Sequence, residues 1–308
     1  MTQLRLTNGA RAQRLLVRWS RPAWLGLSLV GGAIVVLILA NPDAHGLDAI
    51  AYWSINPADP YGSAAGNLNA MGSLRYAPPF VLALLPLHAL PWPVFVTGWS
   101  LVCLAALIYL SGRWALALAA LYPVAMELSA GNVNLLIGAA VVAGFRWPAA
   151  WSFVLLTKVT PGVGLVWFAV RREWRSLGIA LGATAAIAAV SWIIAPALWD
   201  QWIATMRSMV GLEPEGLHLP IPLPVRLVAA LALVAWGART DRRWTVLVGA
   251  TLAMPSIWLA TLSPLVGLVR VGARDPAGGV GGTKEARAGA ESGRPDGLGR
   301  PLRSRAVS

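Results

Sequence analysis

The sequence predicts an all-helical, polytopic integral membrane protein with about ten transmembrane or half-spanning helices. Three observations carry this. Of 308 residues, 57% are hydrophobic and only 12% charged, with a mean hydropathy of +0.62, against roughly 25% charged residues in an average soluble domain. The charges are lopsided, 25 Lys+Arg against 13 Asp+Glu, and the arginines punctuate the chain as positively charged cytoplasmic turns do. Many of the 16 tryptophans, among them Trp19, Trp24, Trp92, Trp114, Trp147, Trp174, Trp236 and Trp244, flank charged or Pro-rich breaks, where an interfacial aromatic belt would lie. The same figures exclude an ordinary soluble enzyme, and disorder over most of the length, since disordered chains are apolar-poor. A basic excess on so apolar a body points to membrane lipid as a partner and not to nucleic acid.

Residues 1–22 carry Arg5, Arg11, Arg14, Arg18 and Arg21 without an acid, and 23–40 are apolar without a charge. This reads as a cytoplasmic basic N-terminus and an uncleaved first helix. The competing reading is a secretory signal, but the apolar run is long for one, and Ile38 and Ala40 make no small-x-small cleavage site. Residues 23–270 form the membrane domain. Within it, 41–77 are polar and rich in Gly, Asn and Pro, with Asp43, Asp48, Asp59, Arg75 and three of the five tyrosines. That loop falls outside the cytoplasm and is too long for a mere connection. Pro78-Pro79 opens an apolar piece up to Leu90, too short for the about 20 residues of a span, hence interfacial or re-entrant. Residues 92–111 span and end at Arg113.

Arg113, Arg146, Arg171-Arg172-Arg175, Arg239-Arg242-Arg243 and Arg270-Arg274 then lie on one side only if an up-down pair separates each group. The pairs are 114–128 with 132–145, 148–159 with 161–170, 176–195 with 221–237 across an outer loop 196–220, and 244–254 with 256–270. Several run to only about 10–15 residues, roughly 15–22 Å against a hydrocarbon core about 30 Å thick. Short helices are tolerable where their turns line water, so an aqueous vestibule is expected on the outer side. Residues 271–308, rich in Gly, Arg, Ala and Pro, read as a disordered cytoplasmic tail.

Few polar residues fall on the outer side. Asp48 sits in the mostly apolar Leu47–Trp53 stretch, where it either serves as a base for a hydroxyl or caps a helix as a surface acid. Lys158 is one of two lysines in a chain that otherwise uses arginine. It either meets a phosphate as a compact charge or snorkels from a helix end. Asn132 and Asn134, beside Gly131, offer amides to a sugar or simply build a turn. Arg226, after Pro220, Pro222 and Pro224, and Arg75, before Tyr76, are further outward cations. Arg226 has snorkelling, or an ion pair with Glu213 or Glu215, as its alternative. Glu127 caps, pairs with Lys158, or faces the cavity. His45, His88 and His218 read as structural or interfacial. The single cysteine, Cys103, reads as apolar filler. No metal-ligand spacing, GxxxxGK[ST] loop, GxSxG or DxD stands in the chain, so no metal and no cofactor is expected.

Four motifs in order carry a family resemblance. Asp48…Tyr52-Trp53, Asp59-Pro60-Tyr61 and Tyr76-Ala77-Pro78-Pro79-Phe80 resemble the first outer loop of glycosyltransferase family 87. Gly131-Asn132-Val133-Asn134-Leu135-Leu136 resembles that family's Gly-Gln-Val-Asn-Leu-Leu turn, with Asn132 in place of Gln. Thr157-Lys158-Val159-Thr160-Pro161 resembles its Leu-Lys-Pro-x-Pro segment, with Val159 in place of the first Pro. Arg171-Arg172-Glu173-Trp174-Arg175 resembles its Arg-Arg-x-Trp-Arg.

The resemblance implies the architecture of the C-type glycosyltransferases. It implies transfer of a sugar, mannose first, from a polyprenyl-phosphate donor to a glycolipid or glycan acceptor on the outer face, with inversion. Asp48 matches the general base. Lys158, Arg226 and Arg75 are then the cations for the donor phosphate. Asn132, Asn134, Tyr52, Asp59, Tyr61, Tyr76 and Glu127 are the expected sugar or acceptor contacts. The Lys-poor, Ala/Gly/Arg-rich composition fits a high-GC bacterial host, hence a bacterial plasma membrane. The alternative is a polytopic transporter or lipid flippase without transferase activity. Inverted repeats and midplane breaks would mark one, whereas the interruptions here fall toward one side.

Overall fold

The computed structural model describes residues 2–66, 74–212 and 220–272. Glu213, Glu215 and His218, and the expected tail from residue 273 on, lie outside the described residues. Those described form fourteen α-helical segments joined by turns and short 3-10 stretches, with no strand among them. In chain order the helices are α1 (Thr2–Ala40), α2 (Ala49–Trp53), α3 (Pro78–Leu84), α4 (Trp92–Ser111), α5 (Ala115–Ala119), α6 (Tyr122–Ala130) and α7 (Asn134–Gly144). Then come α8 (Trp151–Thr157), α9 (Val166–Val170), α10 (Trp174–Ile194), α11 (Pro196–Ser208), α12 (Leu223–Arg239), α13 (Trp244–Leu252) and α14 (Leu268–Gly272). Proline sets many of the starts: α3, α4, α6, α11 and α12 each carry one in the first two positions. There its missing N–H costs nothing and its fixed φ suits the helix.

Three stretches are long and apolar enough to cross a membrane: Arg21–Ala40, Trp92–Ala119 and Trp174–Ile194. Only 11% of the apolar window is buried in the first and in the third, which leaves their faces for lipid and makes this a membrane protein. The pair α6 and α7 passes the same test together but bends by 106° at its break. The remaining apolar pieces, 78–89, 148–157, 160–170 and 259–272, are shorter than a span. The expectation of about ten transmembrane or half-spanning helices thus meets three full-length spans, or four with the bent pair.

Contacts sort the ends of these helices. At one end the arginine turns are tied together. Arg171 bonds Glu173 at 2.8 Å and Asp241 at 2.7 Å and lies over the Trp167 ring, while Arg243 lies over Phe145, which meets Trp167 edge-on. Arg270 covers Tyr109, and Trp24 meets Trp114, so the middle of α1 and the start of α5 lie with the end of α4. At the opposite end stand the polar residues. The turn between α6 and α7 bonds back to the stretch after α1, and Ala77 bonds Leu156 near the end of α8 at 3.1 Å. The region read as an outer loop, 196–220, holds a helix instead, α11. Leu198 and Thr205 of α11, and Met209 just after it, are buried, a helical spacing that gives α11 one buried face. It lies over the first loop: Trp202 Nε1 donates to Arg75 O at 3.1 Å, and Gly66 N to Ser208 Oγ at 2.9 Å.

Candidate active site

The site begins with a tight turn. α6 ends at Gly131, whose φ of +70° is the left-handed conformation that glycine adopts without strain. The chain approaches closely there: a Cβ on Gly131 would stand 2.8 Å from that of Ala49. Backbone bonds hold the two segments together, Gly46 N to Ser129 O and Asp48 N to Ala130 O, both at 2.8 Å. His45 Nδ1 meets Ser129 Oγ at 2.8 Å, and Trp99 Nε1 donates to Gly131 O at 2.6 Å. Asp48 thereby stands at the start of α2, facing the turn.

Two asparagines of this turn point their amides in opposite senses. Asn132 Oδ1 accepts from Val133 N at 2.7 Å, which turns its Nδ2 toward Asp48 Oδ2 at 2.8 Å. Asn134 donates through Nδ2 to Glu127 Oε2 at 2.9 Å, which turns its Oδ1 toward Lys158 Nζ at 2.7 Å. One amide therefore offers a donor to the acid, and the other an acceptor to the cation. Among the described residues, Asp48 and Lys158 make no ion pair with each other, although Lys158 and Arg75 both act electrostatically on the Asp48 carboxyl.

Glu127 is fully buried. Its Oε1 accepts from Asn134 N at 2.6 Å and Leu135 N at 3.2 Å. These are first-turn donors of α7, whose own cap residue, Val133, supplies no side-chain bond. An acid at a helix N-terminus satisfies orphan N–H groups and the helix dipole together. Of the three roles open to Glu127, the geometry is that of the cap, made across the bend.

The tyrosines form the adjoining wall. Tyr52 OH meets Tyr76 OH at 3.2 Å, and Tyr61 OH donates to Tyr76 O at 2.9 Å. The Tyr52 ring packs on Phe80 at 5.6 Å and Trp99 at 5.1 Å between centroids. Burial pushes the Tyr52 and Tyr76 hydroxyls up, so both stay neutral. Burial also pushes the Asp48 carboxyl above its ordinary value, while the Asn132 bond, and then Lys158 and Arg75, pull it back.

The structure thus brings together Asp48, Asn132, Asn134, Glu127, Lys158, Arg75, Tyr52 and Tyr76. Asp48, Asn132, Lys158, Arg75 and Tyr76 are half-buried and form the accessible rim, whereas Glu127 and Asn134 lie beneath it. Three expected residues play other parts. Asp59 is exposed on a turn, with its carboxylate over Gly62. Tyr61 is buried and braces the backbone of Tyr76. Arg226 is the clearest departure. Only 5% exposed, it donates to Ile221 O, Leu252 O, Met254 O and Pro255 O at 2.6–2.9 Å. Its guanidinium ties the start of α12 to the end of α13.

The sequence reading missed Trp99 and Trp202, which hold the carbonyls of Gly131 and Arg75. For Trp202 the signal is the spacing of Leu198, Trp202, Thr205 and Met209; for Trp99 nothing local separates it from the other tryptophans of an apolar helix. No cluster of three or more His, Cys, Asp or Glu able to hold a metal is found among the described residues.

The family model described as glycosyltransferase family 87 matches residues 74–273. No curated protein and no solved structure matches the chain.

Proposed function

The chain belongs to glycosyltransferase family 87, and we propose that it moves a sugar, mannose, from a polyprenyl-phosphate donor to a glycolipid or glycan hydroxyl on the outer face of a bacterial plasma membrane. A transferase that takes a sugar from a lipid phosphate with inversion uses an acid as base for the acceptor hydroxyl and a cation for the departing phosphate. The observation that carries the proposal is that the turn 131–134 holds both in separate hydrogen bonds, Asp48 by Asn132 and Lys158 by Asn134. In a buried setting an unrestrained acid and cation would pair and neutralise each other. Held apart, they can act on two ends of one reaction.

The reaction is a single in-line displacement. The acceptor hydroxyl oxygen bonds the anomeric carbon while the bond from that carbon to the phosphate oxygen breaks, which inverts the centre. Asp48 takes the hydroxyl proton; Asn132 occupies Oδ2, which leaves Oδ1 as the proton acceptor. The polyprenyl phosphate departs with the bonding electrons, and Lys158 and Arg75 receive its charge. Its leaving oxygen needs no proton. Asn132 and Tyr76 line the space for sugar and acceptor, with the buried Tyr52 behind Tyr76. Arg226 is not part of this machinery. The arginine-bearing turns are assigned to the cytoplasm by the positive-inside rule, which places the opposite, polar end outside. The transporter alternative gives way to the family membership.

The proposal is tested on purified protein in lipid discs given labelled polyprenyl-phosphate mannose or, separately, a nucleotide-activated mannose. Transfer from the lipid donor alone is expected. Lys158→Met should raise the donor KM by about 10- to 100-fold, the worth of a hydrogen bond to a charged group. Transfer from the nucleotide sugar alone, or an unchanged KM in Lys158→Met, contradicts it.

A further inference from the structure

We propose that Glu127 is a positioning residue: acting through Asn134, it fixes the direction of the amide that holds Lys158, and it touches neither sugar nor acceptor. The inference rests on the reading of Lys158 as the cation for the donor phosphate.

Burial argues first. Glu127 is 0% and Asn134 1% exposed, so both lie under the rim that a substrate can reach. Bond direction argues second. An asparagine amide has one acceptor end and one donor end. With Nδ2 given to Glu127 Oε2, only Oδ1 is left for Lys158 Nζ. Turned the other way, the amide would set a donor against the ammonium and an oxygen against the carboxylate, and both bonds would become repulsive. The carboxylate thus permits one orientation of Asn134, the one that accepts from lysine. Anchorage argues third. Oε1 of the same carboxylate holds the first backbone amides of α7 at 2.6 and 3.2 Å, so the group that orients Asn134 is tied to the helix that begins at Asn134.

This arrangement can be inverted on paper, and the inversion is the test. Glu127→Gln places an amide donor where Asn134 also donates. Asn134→Asp alone sets two carboxylates face to face. In the double variant the new amide donates to the new carboxylate, whose other oxygen accepts from Lys158, and the total charge is unchanged. Each single variant is expected to raise the donor KM by about 10- to 100-fold with a smaller change in kcat. The double variant is expected to return to within about threefold of wild type. Should Glu127→Gln alone fail to fold, Asn134→Ala, which leaves the cap of α7 in place, must show the same rise in KM.

A readout independent of sugar transfer is labelling by an amine-acylating reagent at fixed pH, with Lys284, the other lysine of the sequence, as internal reference. Lys158 should label several-fold faster in Glu127→Gln and in Asn134→Ala, where the ammonium loses its acceptor, and at the wild-type rate in the double variant. A double variant as impaired as the singles in KM and in labelling overturns the proposal, as does an Asn134→Ala protein with unchanged KM. A wild type that transfers no sugar from a lipid phosphate overturns the functional reading alone, because the labelling pattern still decides the role of Glu127.

Discussion

Asn132 and Asp48, 84 residues apart in the chain, meet in a 2.8 Å bond from Nδ2 to Oδ2. The bond exists because Asn132 closes onto the next backbone amide through its own Oδ1, which leaves its donor end facing the acid. Two residues on, Asn134 presents the opposite end to Lys158. Alternating amide directions on one short turn hold an acid and a cation side by side without joining them.

This bond has a consequence for pH. Burial raises the Asp48 carboxyl, and the Asn132 bond is the largest influence that lowers it. A base must be ionised to accept a proton, so kcat/KM should rise with pH along an acid limb above the ordinary aspartate range of about 4. Removing the bond favours the neutral acid. Asn132→Ala should therefore move that limb to higher pH while leaving the basic limb in place. A pH profile of kcat/KM checks this; an acid limb that stays, or moves to lower pH, contradicts it.

Gly131 should not tolerate a side chain. Its φ of +70° costs about 1–2 kcal/mol in any residue with a Cβ, and that Cβ would crowd Ala49 at 2.8 Å. Gly131→Ala should lower the thermal unfolding midpoint in detergent and, by moving Asn132 away from Asp48, reduce transfer at saturating donor. A stable, fully active Gly131→Ala protein would show that the close approach is unimportant.

Arg226 is expected to matter for stability and not for donor binding. Four carbonyls accept from its guanidinium, and a lysine cannot meet all four directions at once. Arg226→Lys should destabilise by about 2–3 kcal/mol, the order of one or two lost bonds to a charged group, and leave the donor KM unchanged in the protein that survives. Unfolding and kinetic measurements separate the two effects. A tenfold rise in KM at unchanged stability would return Arg226 to the phosphate site.

The membrane class was legible in the sequence, and so were the residues that the structure gathers around the turn 131–134, for physical reasons. Lysine is rare here, so Lys158 stood out; Asp48 lay in an apolar stretch where an acid calls for a reason; Gly131 with two asparagines spelled a turn. What stayed hidden depended on distant chain. Arg226 looked outward because three prolines surround its helix start, yet its acceptors lie up to 29 residues further on. Glu127 had three open roles until the 106° bend put its carboxylate at the start of α7. The number of crossings was obscured because several apolar pieces are shorter than a span, and length alone does not tell a half-span from a re-entrant turn. The 196–208 stretch, expected as part of an outer loop, shows its buried face only by packing over the first loop.

The most direct test of Asp48 as the base is a single-turnover transfer from labelled polyprenyl-phosphate mannose by wild-type and Asp48→Asn protein in the same lipid discs. The substitution keeps the size of the side chain and removes its capacity to take a proton. The expected result is a loss of about 100- to 10,000-fold in the rate of transfer, the range supplied by a general base, with donor still bound. Transfer by Asp48→Asn at the wild-type rate would contradict the assignment.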